Sequence, residues 1–164
     1  LYYSENYGGS EQPRFSTLKL LKDTMNQTIR VEGKCSPIVV DWDGNGINDI
    51  LLGNSNGSIL TVKSQVENND LQLTPPQLLE INGESLKVEG RSKPFIADWD
   101  NDGGKDLLIG DEAGHLHIYL NSVVNGEPDL IRGEKIKSAE HTYVLERKLQ
   151  IPYFIGMSLM ELLV

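Results

Sequence analysis

Apolar residues along this chain fall into short runs rather than helical stripes. Ile38-Val39-Val40 is followed by an acidic, Gly-containing stretch over 41–48, then by Ile50-Leu51-Leu52. Ser58 to Lys63 alternates around Ile59, Leu60 and Val62. Runs of this length, bounded by Gly, Asn and Asp, predict strands joined by turns. Pro37 suits a strand start, where its missing N–H does little harm. Asn54-Ser55-Asn56-Gly57 predicts a hairpin turn, because Asn and Gly tolerate positive φ. A variable polar connection follows, with a weak fourth strand expected near Leu78 to Ile81. The same order returns at 94–97, 106–110, 115–120 and 130–136. Helical periodicity is weak everywhere except over 156–164.

The recurrence is a sequence repeat. Val31-Glu32-Gly33 returns as Val88-Glu89-Gly90, Pro37 to Asp43 as Pro94 to Asp100, and Asp49 to Gly53 as Asp106 to Gly110, always at an offset of 57. Leu1, Asn6, Pro13 and Phe15 match Leu116, Asn121, Pro128 and Leu130 at an offset of 115, as Pro152 to Ile155 match Pro37 to Val40. The organisation expected is the tail of one repeat (1–30), two full repeats (31–87 and 88–145), and the start of a degenerate one (146–164). Gly156 stands where that last copy needs its first Asp, so no metal loop is expected there. Four short antiparallel strands per repeat make a blade, and a lone blade must stack on others to cover both faces.

Each full repeat carries one acidic loop. Asp41, Asp43, Asn45 and Asp49 occupy loop positions 1, 3, 5 and 9; Asp98, Asp100, Asp102 and Asp106 repeat that spacing. Alternate residues of a tight loop point inward, so these oxygens can converge on one hard cation, and Ca²⁺ takes six to eight oxygens. Gly46 and Gly103 at position 6 allow the sharp turn. The backbone carbonyls of Ile47 and Gly104, at position 7, complete the expected ligands. An EF-hand would need Glu at position 12 and flanking helices. Leu52 and Ile109 stand there, inside apolar runs, so that reading is rejected. The remaining alternative is an acidic turn that binds nothing; repulsion among its carboxylates argues against it.

The net charge of −9 argues against a nucleic-acid partner, which needs a basic face, and against simple docking on an anionic membrane. Seven Asp of the two loops contribute to that charge, and two Ca²⁺ would bring −9 to −5. The apolar end, Ile151 to Val164, contains Glu161 and is shorter than the about 20 residues of a membrane span, so no membrane insertion is expected. Cys35 is the single cysteine, which excludes an intrachain disulfide; a small residue at a strand start is expected there. The chain begins at Leu1 without a signal peptide and reads as a fragment or a processed chain.

Pro-x-x-x-Asp-Trp-Asp-x-(Asn/Asp)-Gly-x-x-Asp-(Ile/Leu)-Leu-(Leu/Ile)-Gly-x-x-x-Gly resembles the FG-GAP / VCBS repeat over nearly the whole chain. The resemblance implies an all-β fold: a partial β-propeller of four-stranded antiparallel blades, two complete and two incomplete. It implies Ca²⁺ at two sites, in the loops joining the first two strands of each blade. It also implies an extracellular or cell-surface protein, non-enzymatic, serving adhesion or ligand binding. An unknown protein or carbohydrate ligand would meet the turns opposite the calcium loops, Asn54 to Gly57 and Asp111 to Gly114. Rings of this family have about seven blades, so further blades of a parent chain are implied. The alternative is the propeller portion of a secreted polysaccharide-active enzyme, a lyase or hydrolase. No nucleophile motif, phosphate loop or zinc spacing appears in the chain.

Trp42 and Trp99 lie between inward Asp residues and should point the other way, to pack between blades. His115 and His117 share one strand face; two such ligands without a third nearby favour a surface strand over a metal site. Tyr2, Tyr3 and Tyr7 are expected to pack at a core or edge rather than to stack on sugar. Glu5, Glu11, Glu67 and Asp70 read as solvated loop charges.

Overall fold

The computed structural model describes residues 1–124 and 127–137. The degenerate last copy, with Gly156 and the 156–164 periodicity, lies outside them. The described residues are all-β, without a helix, in antiparallel sheets of two to four strands.

Two four-stranded sheets dominate. The first comprises β3 (Ser36–Val40), β4 (Asp49–Gly53), β5 (Ile59–Val62) and β8 (Gln77–Leu78), hydrogen-bonded in that order. The second comprises β11 (Lys93–Ala97), β12 (Asp106–Gly110), β13 (His115–Val124) and β14 (Glu127–Lys137). Ser36 faces Gly53 and Val40 faces Asp49; Lys93 faces Gly110 and Ala97 faces Asp106. The registers are thus the same at the sequence offset. In the first repeat β6 (Ser64–Glu67) pairs with β7 (Asp70–Leu73) where the sequence shows only a polar connection, and the second repeat makes the same pairing, at the offset of 57, in the outer ends of β13 and β14. The weak fourth strand divides: β8 closes the first sheet, while β9 (Glu80–Ile81) pairs with β10 (Glu84–Ser85).

Strand alternation gives each sheet two faces. Leu51 and Ile59 of the first sheet share a cluster with Leu107, Ile109, Tyr119 and Leu130 of the second, joined by Trp42, Leu86 and Val88. The sheets therefore stack face to face across a common core. On the far side of the first sheet, Leu52 and Val62 pack with Ile29 and Leu73, flanked by Leu1, Leu21, Val31 and Cys35. The N-terminal segment supplies most of that covering layer, with Leu73 added from β7. It holds β1 (Tyr2–Tyr3) paired with β2 (Lys19–Leu20), and an isolated bridge joins Asn6 to Phe15. Asn121 and Leu130, their matches at the offset of 115, also pair.

The start of the second repeat is tied to the first hairpin turn. Ser92 Oγ receives the Asn54 N–H at 2.8 Å and donates to the Ser58 carbonyl at 2.8 Å. Gly57, with φ +89°, lies so close to the Val88 and Gly90 carbonyls that a Cβ would overlap both. Trp42 is buried in the shared core, as its inward Asp neighbours require, and Trp99 is half-buried. Tyr2 and Tyr7 are 66% and 71% exposed, so neither packs into a core. Tyr3 carries Lys19 Nζ over its ring at 5.9 Å.

Candidate metal centres

Each acidic loop leaves the first strand of its sheet and returns into the second. Carboxylate oxygens of Asp41, Asp43 and Asp49 lie within 4.8 Å of one another, and those of Asp98, Asp100 and Asp106 do the same. Positions 1, 3 and 9 are thus brought together in both loops. Two left-handed residues bend each loop: Gly44 and Gly46 in the first, with φ of 76° and 86°, and Asn101 and Gly103 in the second, with 62° and 89°.

Position 5 behaves differently. Asn45 Oδ1 accepts the Ile47 N–H at 2.7 Å, and Asp102 Oδ1 accepts the Gly104 N–H at 2.6 Å. These oxygens brace the turn, and Ile47 and Gly104 enter it as donors. Position 3 does both jobs, since Asp43 Oδ1 and Asp100 Oδ1 also accept the N–H of Asn45 and Asp102.

Position 9 is the clamp. Asp49, fully buried, accepts the Trp42 N–H on Oδ2 at 3.1 Å and the Ser64 N–H on Oδ1 at 2.7 Å. Asp106, also fully buried, accepts the Trp99 N–H at 2.6 Å and the Asn121 N–H at 2.8 Å. One carboxylate thereby fixes the loop's first corner to the far end of the third strand. Burial holds the Asp49 carboxyl above the usual range, outweighing the hydrogen bonds from Ser64 and Trp42, with the nearby Asp43 charge adding to it. Asp100 is raised by burial and then by the charges of Asp106 and Asp102.

The fit of these loops to a hard cation is tested by their unpaired oxygens. Asp41 Oδ1, Ser64 Oγ and Asn121 Oδ1 are the buried side-chain polar atoms without a hydrogen-bond partner among the described residues. All three belong to a loop or to the residue that clamps its ninth position. Buried polar atoms nearly always have a partner, and a bound ion can satisfy oxygens that protein donors do not reach. The donor set is oxygen throughout, which suits Ca²⁺ and gives no thiolate or imidazole to a softer ion.

Two lysines approach the first loop. Lys105, at position 8 of the second loop, reaches across to the Asp41 carbonyl and lies 3.4 Å from its Oδ2; Lys63 lies 4.0 Å from Asp43 Oδ2. The loops are neighbours in space, linked by a side chain the repeat pattern does not single out.

A third cluster was missed by sequence reasoning. His115 and His117 do share a face, but Asp111 joins them from the preceding turn, within the same 4.8 Å limit. A tight hairpin turn brings its first residue opposite the strand that follows it, and that local rule could have found Asp111. Comparison with models of known protein families, with curated proteins and with solved structures finds no match.

Proposed function

We propose that this chain is a calcium-stabilised segment of a β-propeller, acting as a non-enzymatic scaffold for adhesion or ligand binding outside the cell or at its surface. The observation that carries the metal reading is the convergence of three carboxylates in each of two loops, with Asp41 Oδ1 buried and unpaired in the first. Asp41, Asp43 and Asp49 would hold one Ca²⁺, and Asp98, Asp100 and Asp106 the other. Asn45 and Asp102 at position 5 and the carbonyls of Ile47 and Gly104 at position 7 complete the proposed sets. The ion supplies fixed positive charge and oxygen geometry, a structural role. The residues themselves shape the loop and tie it to the third strand.

The blade reading is supported by two sheets with the same register, stacked face to face. In the second sheet, Phe95 and Ile131 are 41% and 57% exposed on the side opposite the shared core. A further blade of a parent chain would cover them. The extracellular setting and the protein or carbohydrate ligand rest on the resemblance to FG-GAP / VCBS repeats.

The test is melting of the full chain with Ca²⁺ and with EGTA. Extracellular modules bind Ca²⁺ with dissociation constants on the order of 0.1–1 mM. At ten times such a constant, each ion stabilises the fold by about 1.4 kcal/mol, which corresponds to a rise of about 3–6 °C per site. Asp43→Ala and Asp100→Ala should each remove one of two steps in calorimetric uptake, and the double variant both. Absence of uptake by folded protein at millimolar Ca²⁺ reduces the loops to acidic turns.

A further inference from the structure

The turn that joins β12 to β13 runs from Asp111 to Gly114. Asp111 Oδ1 accepts the His115 N–H at 2.9 Å, closing the turn as Asn54 Oδ1 does with the Ser58 N–H at 3.0 Å in the first repeat. The second oxygen is left over. Asp111 Oδ2 lies 3.2 Å from His115 Nδ1 and 2.7 Å from His117 Nε2. The Asp111 side chain is fully buried, and the two imidazoles are 14% and 12% exposed. His117 stacks on Tyr119, with centroids 6.5 Å apart and planes 6° from parallel, so its ring has a fixed orientation. The first repeat carries Asn54, Ser58 and Leu60 at these positions and makes the same turn. Neither the carboxylate nor the imidazoles are therefore needed for the fold there.

The geometry points to a further metal site of different chemistry, in which Asp111, His115 and His117 bind one divalent ion of the zinc class. Two imidazole nitrogens and one carboxylate oxygen suit a borderline transition ion, whereas Ca²⁺ prefers oxygen alone. Metal–ligand distances of about 2.0–2.2 Å set tetrahedral ligand atoms about 3.4 Å apart. All three atoms already lie within 4.8 Å of one another, so shifts of under about 1 Å admit the ion. Binding requires His115 to carry its proton on Nε2 and His117 on Nδ1, leaving the facing nitrogens free. Three protein ligands leave a fourth position for water or for a donor group of a bound ligand. The site is at the turn end of β12, about 16 Å along that five-residue strand from the acidic loop. It stands whether or not the acidic loops hold Ca²⁺.

The experiment titrates the full chain, in saturating Ca²⁺, with Zn²⁺ by calorimetry and with Co²⁺ by visible absorption. One equivalent of Zn²⁺ and a Co²⁺ d–d band are expected. Loss of a supporting neighbour alone weakens metal sites 10–100-fold, so loss of a ligand should cost at least about 100-fold. Asp111→Asn retains the turn bond that Asn54 makes, and His117→Leu restores the residue of the first repeat. Both should fold, with one melting transition, and lose the Co²⁺ band. Zn²⁺ uptake that is absent from the wild type, or undiminished in either folded variant, overturns the assignment and leaves a metal-free carboxylate between two imidazoles.

Discussion

Asp49 and Asp106 carry two roles in one side chain. Their position in the loop makes them proposed ligands, and their burial makes them structural in the absence of any ion. Each satisfies two backbone N–H groups, and removing a buried acceptor costs about 1–3 kcal/mol per donor left unpaired. Asp49→Ala should therefore destabilise the protein by about 2–6 kcal/mol in EGTA, by urea denaturation. Asp43→Ala, whose bond lies within an exposed turn, should change the same measurement by no more than about 1 kcal/mol. Equal losses would mean that the ninth position is not a clamp. Cys35 offers a second test at this scale. Partial burial raises its thiol, against a smaller opposing effect of the N-terminal ammonium. A raised pKa means less thiolate near pH 8, so disulfide-exchange reagents should react more slowly with the folded protein than with the chain in urea.

Elements explain features that no single residue does. The β6–β7 hairpin carries Val66 and Leu71 at its outer end, 57% and 61% exposed, while Leu73 at its base is core. Val66→Thr and Leu71→Thr should each shift stability by no more than about 0.5 kcal/mol in urea denaturation. The two acidic loops are coupled through Lys105, whose ammonium beside Asp41 opposes a cation in the first loop. Opposition between a unit charge and a divalent ion near 4 Å in water, about 2 kcal/mol, is about thirtyfold in affinity. Lys105→Met should tighten Ca²⁺ binding at the first loop by about that factor in calorimetry, and an unchanged constant would remove the coupling.

At the scale of the molecule, the shared core makes the two repeats one folding unit. Leu51 and Ile109 come from different sheets and meet in the same cluster. Truncating either to Ala should cost about 2–5 kcal/mol, and both variants should lower one common transition in calorimetry. Two separate transitions, each sensitive to one variant, would show that the sheets fold alone.

The repeat, the strand order, the loop spacing and the hairpin turns were legible in the sequence, because each rests on local chemistry that recurs at a fixed offset. Pro at a strand start, Gly at a left-handed corner and alternating apolar residues act within a few positions of themselves. What the chain could not show is what meets across space. The sharing of Asp49 between Trp42 and Ser64, the reach of Lys105 to the other loop and the exposure of Tyr2 and Tyr7 depend on how sheets stack. Asp111 was readable as a turn residue, but its second oxygen becomes a partner for two histidines only when the hairpin closes and β13 turns both rings back toward it.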